Sequence, residues 1–234
     1  MLELKNISYS VADKEILKNI SIKIDDRFVA ITGPNGSGKS TLAKIIMGII
    51  TPTSGQILLD GKDITTMNVT DRANAGISFA FQQPVKFKGI TVKDMISLAV
   101  GKDVNVSTAC AYLSEVGLCA KDYINREING SLSGGELKRI EIAMINARST
   151  KLSIFDEPEA GIDLWSFNSL IKVFENMHAR TQGNIIIISH QERILNIADK
   201  ILLLKAGEVD EYGDGKTILP KLLNVQAGCR YSQS

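Results

Sequence analysis

Cysteine is scarce, and its arrangement excludes more than its number does. Cys110, Cys119 and Cys229 are the only three among 234 residues, and no two of them form a C-x-x-C pair. An odd count without pairing rules against a disulfide framework and points to a reducing cytoplasm. Cys110 and Cys119 fall in helical-looking sequence and are expected to be small core residues, whereas Cys229 lies in a polar stretch and is expected at the surface. A run of one charge is also missing. The formal net charge is +1 with no clustered Lys or Arg, which argues against nucleic acid as the main partner. Long apolar runs are absent too: none approaches the roughly 18 residues of a membrane span. The first residues, Leu2 to Ser10, alternate with charges and do not read as a leader. The expectation is a soluble chain without direct membrane insertion. There are no internal repeats and no low-complexity segment.

What is present is an ordinary globular composition, 44% hydrophobic and 23% charged, enough for one large domain. One stretch stands out. Gly33-Pro34-Asn35-Gly36-Ser37-Gly38-Lys39-Ser40-Thr41 has the full P-loop spacing. The apolar run Phe28 to Ile31 precedes it, as a buried strand would, and Leu42, Ile45, Ile46 and Ile49 follow at helical spacing. A strand, a Gly-rich turn and a helix start bring backbone N–H groups and the positive helix end to one place, which suits a triphosphate. In such a loop Lys39 reaches the β- and γ-phosphates and the Ser40 hydroxyl ligates Mg²⁺.

Upstream, alternating apolar residues at Leu2 to Ile7 and Ile16 to Ile24 predict an antiparallel hairpin turning at Asp13-Lys14. Tyr9, on its first strand, is either an adenine-stacking aromatic or an ordinary strand Tyr. Downstream, strands are expected at Gln56 to Asp60 and Ile77 to Phe81, with a short helix over Thr70 to Ala75 capped by Thr70. From Pro84 to Arg148 the periodicity is helical, at Thr91 to Val100, Ser107 to Val116 and Gly135 to Ala147. Strand and helix then alternate: Leu152 to Phe155, a helix over Ile162 to Met177, the four isoleucines 185–188, a short helix over Gln191 to Ile197, and Ile201 to Leu204. The pattern predicts a mostly parallel sheet with helices on its faces and a helical insertion at 84–148. The core is expected over 1–83 and 149–225, with 226–234 a polar, poorly ordered tail. His178, in a helical run, reads as a surface or packing residue.

Two further constellations carry chemistry. The strand Leu152 to Phe155 delivers Asp156-Glu157 at its C-terminal end, where ligands bind in such sheets. Asp156 is then a Mg²⁺ ligand and Glu157 a general base for an attacking water. Leu132-Ser133-Gly134-Gly135-Glu136 precedes a helix, so Ser133 and two glycines form a second anion cradle without a lysine.

LSGGE, taken in order with the P-loop, Gln82, Asp156-Glu157 and His190, resembles the ATP-binding-cassette (ABC) ATPases from end to end. The resemblance implies an α/β P-loop NTPase fold with an N-terminal antiparallel β-subdomain and an inserted α-helical subdomain, forming one ATPase domain over 1–225. It implies ATP and Mg²⁺ as cofactors, Gln82 as a residue that touches Mg²⁺ or water and couples to a partner, and His190 as a switch residue near the γ-phosphate. Glu159 to Asp163, with Gly161 and Asp163, takes the D-loop position. Two copies are implied to meet head to tail on ATP, each P-loop facing the other copy's signature. Asp71-Arg72-Ala73, Phe79 to Val85, Leu132 to Arg139 and Ser189 to Leu195 further resemble the SufC ATPases of iron–sulfur cluster assembly. That implies a SufB/SufD-like scaffold as partner. The D-loop segment Pro158-Glu159-Ala160-Gly161-Ile162-Asp163 departs from the usual SufC form and suggests a compact branch. The nucleotide-binding subunit of a membrane transporter shares every ATPase residue, so the partner is what separates the two readings.

Overall fold

The computed structural model describes residues 1–180 and 182–230, without the side chains of 164, 165 and 224–230. Two compact units divide the chain: 1–77 with 184 onward, and 78–183.

The first unit opens with β1 (Leu2–Val11) and β2 (Lys14–Ile24), the expected antiparallel hairpin, with Val11 opposite Lys14. β4 (Ser54–Leu59) pairs antiparallel with β1 on its other side and β5 (Lys62–Asp63) with β4, giving a sheet of order β2-β1-β4-β5. Leu2 and Leu4 of β1 and Ile20, Ile22 and Ile24 of β2 are buried at period-2 spacing, while Ile7 and Leu17, each three residues from the next buried position, are kept on the same face by irregularities at the left-handed Asn6 and Asn19 (φ 50 each). A second set of strands is parallel at its centre. β3 (Phe28–Thr32) pairs parallel with both β8 (Asn184–Ile188) and β9 (Lys200–Lys205). Flanked on both edges, β3 is buried at all five residues, and Ile185 to Ile188 are buried alongside it. Burying one such isoleucine is worth about 1.5–3 kcal/mol, so this strand pair anchors the loop that leaves β3. The short helix α8 (Glu192–Leu195) connects β8 to β9.

α1 (Lys39–Met47) follows that loop. Its C-terminus closes on Gly48 in the left-handed region (φ 82), where an added Cβ would meet the Arg72 Nε at 2.9 Å. Arg72 is 1% exposed and stands on α2 (Val69–Asn74). Its guanidinium donates to the carbonyls of Ile45 and Ile46 in the last turn of α1, at 2.7 and 2.8 Å, and to those of Thr65 and Met67. It thereby gives the Ile46 carbonyl a donor at the helix end and adds a second donor to the Ile45 carbonyl, which also accepts the Gly48 N–H at 3.0 Å. The cap of α2 is Asn68, not Thr70: its Oδ1 accepts the Asp71 N–H at 2.9 Å, placing the helix start one residue earlier than expected.

Three elements of this unit escaped the sequence reading, the first being the two-residue β5. β10 (Glu208–Asp214) returns antiparallel along β9 through the left-handed pair Ala206-Gly207. Its residues are half-buried or exposed, so a polar edge strand hid its alternation. α9 (Gly215–Arg230) runs through Pro220 and carries helical backbone past Val225 to Arg230, where a poorly ordered tail was expected. Residues 231–234 lie outside the described set, as does the side chain of Cys229.

The second unit holds β6 (Ile77–Ala80, whose first residue closes the first unit) beside β7 (Leu152–Asp156). Buried hydroxyls of Ser78, Thr150 and Ser153 link these strands, with Ser78 Oγ 2.7 Å from Thr150 Oγ1. The expected helices are α3 (Val92–Val100), α4 (Val106–Glu115), α6 (Gly134–Arg148) and α7 (Leu164–Arg180). The four-residue α5 (Ala120–Tyr123) was too short for periodicity to reveal. Cys110 and Cys119 are exposed, not core. The buried face of α4 is Ala109 and Leu113, one turn apart, which turns Cys110 outward, and Cys119 is the N-cap residue of α5.

Candidate functional site

In the first unit the loop between β3 and α1 is shaped by glycines that nothing else could replace. Gly33 has φ +141, and a Cβ there would lie 2.0 Å from the Leu204 carbonyl oxygen. Gly38 has φ +98, and its Cβ would strike the Leu17 side chain at 2.5 Å. Pro34, Asn35 and Gly36 form the exposed crest, while Ser37 and Lys39 are buried. The Ser37 N–H donates to the Pro34 carbonyl at 3.2 Å, closing the turn. Lys39 Nζ folds back over the loop and donates to the carbonyls of Gly33 (2.8 Å) and Pro34 (2.9 Å). The buried Ser37 Oγ has no hydrogen-bond partner among the described residues, which for a buried hydroxyl signals a ligand or water. Ser40 and Thr41 begin α1, half-buried. A left-handed glycine, a helix N-terminus and an ammonium at one turn suit a polyphosphate.

His190 belongs to the same unit. It follows β8, the parallel neighbour of β3, and is exposed. The preceding Ser189 is fully buried, and its N–H donates to the Ile31 carbonyl at 3.2 Å, so the histidine segment is tied to the strand that feeds the loop. Tyr9 sits on β1 opposite Leu17, half-buried.

In the second unit, Gln82 and Glu157 come together from the ends of β6 and β7. Gln82 Nε2 donates to Glu157 Oε2 at 2.5 Å. Glu157 occupies the left-handed region at φ 47, costly for a residue with a side chain. Asp156, immediately before it, is 2% exposed. Sequence reasoning missed two residues here, both on α6. Lys138 is 2% exposed, and its Nζ donates to the Glu157 backbone carbonyl at 2.9 Å. Burial pushes its ammonium below the usual lysine range, against the attraction of Glu141, Glu159, Asp156 and Glu157. Glu141, one turn later, accepts the Phe81 N–H at 3.2 Å, at the residue before Gln82, while its Oε2 is buried without a hydrogen bond among the described residues. Burial pushes this carboxyl up to about 7, and the Phe81 N–H and Lys138 oppose the shift. A charged pair three residues apart on a helix, with a polar residue next to the apolar Ile140 and Ile142, was the only available signal.

The predicted second cradle is built at the start of α6. Ser133 is the N-cap: its Oγ accepts the Glu136 N–H at 3.2 Å, and the Ser133 N–H donates to Glu136 Oε2 at 2.7 Å, a full capping box. Leu132 is buried beneath it, and nothing lies within 4 Å of a Cβ added to Gly134 or Gly135. Gly161 is left-handed (φ +75) in the turn after Glu157, and Asp163 Oδ1 accepts the Ser166 N–H at 3.0 Å in the first turn of α7.

As potential metal donors, Ser40 in the first unit offers a hydroxyl oxygen, and Gln82 and Asp156 in the second offer an amide and a carboxylate oxygen. Each is a hard oxygen donor of the kind that Mg²⁺ accepts.

Comparison with known proteins agrees with these features. Residues 17–160 match the family model described as ABC transporter. An uncharacterised ABC transporter ATP-binding protein of Methanocaldococcus jannaschii is 37% identical over 228 residues, 93% of this chain and 90% of that protein. The protein named "Probable ATP-dependent transporter ycf16" of Antithamnion sp. is 32% identical over 237 residues, 94% of this chain and 93% of that protein. Among solved structures, a dimeric post-hydrolysis state of an ATP-binding cassette bound to ADP and phosphate superposes with a TM-score of 0.80 at 24% identity, covering 92% of this chain and 98% of that one. That likeness establishes the α/β P-loop NTPase architecture, with its antiparallel sheet and helical subdomain. The chain belongs to the ABC transporter family, as an ATP-hydrolysing cassette.

Proposed function

We propose that residues 1–225 form one cytoplasmic cassette, that two copies close head to tail around ATP, and that the cycle drives conformational change in an iron–sulfur assembly scaffold of the SufB/SufD type. The single observation that carries the hydrolytic part is the 2.5 Å contact between Gln82 Nε2 and Glu157 Oε2. It gives the general base a fixed orientation at the end of a buried strand, and hydrogen-bond reach is the first requirement of a base.

In this reading Gly33 to Thr41 hold the phosphates and Lys39 exchanges its two loop carbonyls for phosphate oxygens. Tyr9 stacks on the adenine. Ser40, Gln82 and Asp156 would hold Mg²⁺, which lends charge stabilisation to the transferring phosphoryl group. Glu157 takes a proton as water attacks the γ-phosphorus, and ADP departs. His190 contacts the γ-phosphate and reports its loss. Ser133 to Glu136 of the second copy complete the site, with Gly161 and Asp163 beside them. ATP favours the closed dimer only by its extra affinity for that state, and hydrolysis removes the preference. The scaffold reading is supported by the SufC-like stretches, among them Asp71-Arg72-Ala73 and Leu132 to Arg139.

A second reading, a transporter subunit, is favoured by the names of two relatives, one an ABC transporter ATP-binding protein and the other a probable ATP-dependent transporter. Affinity purification of the chain with mass spectrometry separates the two: a SufB-like protein supports the scaffold, and a permease refutes it. For the hydrolytic part, Glu157→Gln is expected to lower turnover at least about 100-fold while ATP still binds. Near-normal turnover would remove Glu157 as the base.

A further inference from the structure

A carboxylate stands where an anion has to dock. Glu136 lies in the first turn of α6, three residues after the N-cap. A helix N-terminus carries about half a positive charge, which a first-turn carboxylate opposes. In the closed dimer proposed above, this N-terminus faces the triphosphate held by the other copy. A free Glu136 would repel the group that Ser133, Gly134 and Gly135 must hold.

The neighbours of Glu136 address that charge. Tyr123, the last residue of α5, donates its hydroxyl to Glu136 Oε1 at 2.6 Å. Arg126 Nη1 stands 3.7 Å from the same oxygen. The guanidinium lies 5.1 Å from the centre of the Tyr123 ring, and its Nη2 donates to the Ser131 carbonyl at 2.9 Å, which anchors it to the segment leading into the motif. The other oxygen, Oε2, is occupied by the Ser133 N–H. Both carboxylate oxygens are thus engaged. The Ser133 Oγ acts as acceptor toward the Glu136 N–H, which leaves its own proton free to donate to a phosphate oxygen. The Tyr123 hydroxyl holds the Glu136 carboxyl below the usual carboxylate range, so the group stays ionised and its charge has to be managed rather than removed.

We propose that Tyr123, backed by Arg126, is a positioning residue for the signature motif: it binds the Glu136 carboxylate so that the start of α6 remains able to accept a phosphate from the second copy. The inference rests on the proposed role of Ser133 to Glu136 at the dimer.

The test is a double-mutant cycle on the full chain with MgATP as ligand. Wild type, Tyr123→Phe, Glu136→Gln and the double variant are compared for turnover against ATP concentration. ATP affinity of the dilute monomer is measured in parallel. Tyr123→Phe should raise the ATP concentration for half-maximal turnover by about threefold to tenfold, the range expected for losing a charge-assisted contact near a helix end. Monomer affinity, set by the P-loop, should not change. In the Glu136→Gln background, which has no charge to manage, Tyr123→Phe should shift that concentration less than about twofold, since the cycle isolates the pair. Equal shifts in both backgrounds would mean that Tyr123 only packs, and would overturn the proposal, as would no shift in wild type. Arg126→Gln should follow the same pattern in weaker form, which keeps the test open if Tyr123→Phe fails to fold. Ser133→Glu tests the underlying reading: if turnover survives a carboxylate at that position, the signature motif does not hold nucleotide and both ideas fall. If Ser133→Glu abolishes turnover but the cycle shows no coupling, only the positioning role is lost.

Discussion

Replacing Glu141 with glutamine isolates the cost of one buried charge. The side chain sits in α6, accepts the Phe81 N–H with one oxygen and buries the other without a hydrogen bond among the described residues. Burial raises its carboxyl from an ordinary value of 4.5 to about 7. The folded state therefore binds more protons than the unfolded chain between those two values. Stability tied to this group is fully present below pH 4.5, falls as pH rises through the window, and is flat again above about 7. A shift of about 2.5 units at about 1.4 kcal/mol per unit puts the full difference at ~3.5 kcal/mol. The amide of Glu141→Gln keeps an oxygen for Phe81 and cannot ionise. It also deprives Lys138 of an attracting carboxylate, so ~3.5 kcal/mol is an upper bound on the gain. Urea unfolding followed by circular dichroism at pH 5, 6, 7 and 8 measures the effect at constant slope. The variant should lie within about 1 kcal/mol of wild type at pH 5, and its advantage should grow by about 2–3 kcal/mol between pH 5 and pH 8. A difference that does not vary with pH, or that shrinks as pH rises, would refute the reasoning.

Other perturbations follow from the same contacts. Arg72→Leu removes the guanidinium donor from the carbonyls of Ile46, Thr65 and Met67 and one of the two donors from that of Ile45. It should destabilise the chain by about 3–5 kcal/mol in the same unfolding assay; a loss below about 1 kcal/mol would show that water replaces the guanidinium. Lys39→Ala removes the ammonium that now rests on the Gly33 and Pro34 carbonyls, and ATP affinity measured by calorimetry should fall at least about tenfold. Unchanged affinity would mean that the P-loop is misread.

The site was legible where residue type and spacing dictate chemistry. Gly33, Gly36 and Gly38 announce a left-handed loop because only glycine takes those angles without strain, and all three take them. The four isoleucines 185–188 announce a strand buried on both faces, and β8 is buried there. Elements with weak periodicity were not legible: the polar edge strand β10, the single turn α5, and α9 with its internal proline. The cap of α2 was misplaced because Asn68 and Thr70 are both good caps, and only the backbone angles choose between them. Cys110 and Cys119 were misplaced because helical spacing fixes relative faces but does not say which face is covered.

By itself the sequence determined the family, the spacing of the glycine-rich loop and the position of the acidic pair at a strand end, since each depends on local order along the chain. Tertiary structure alone decided what surrounds them. It places Gln82 on Glu157 across the ends of two strands, and buries Lys138 and Glu141 beside those strand ends. It turns Arg72 into a cap for the helix that follows the loop, and seats Tyr123 on the carboxylate of the signature motif. These contacts join residues that lie between 13 and 75 positions apart in the chain. Hydrogen bonding and desolvation act over a few ångströms in space, so no reading of local spacing could have supplied them.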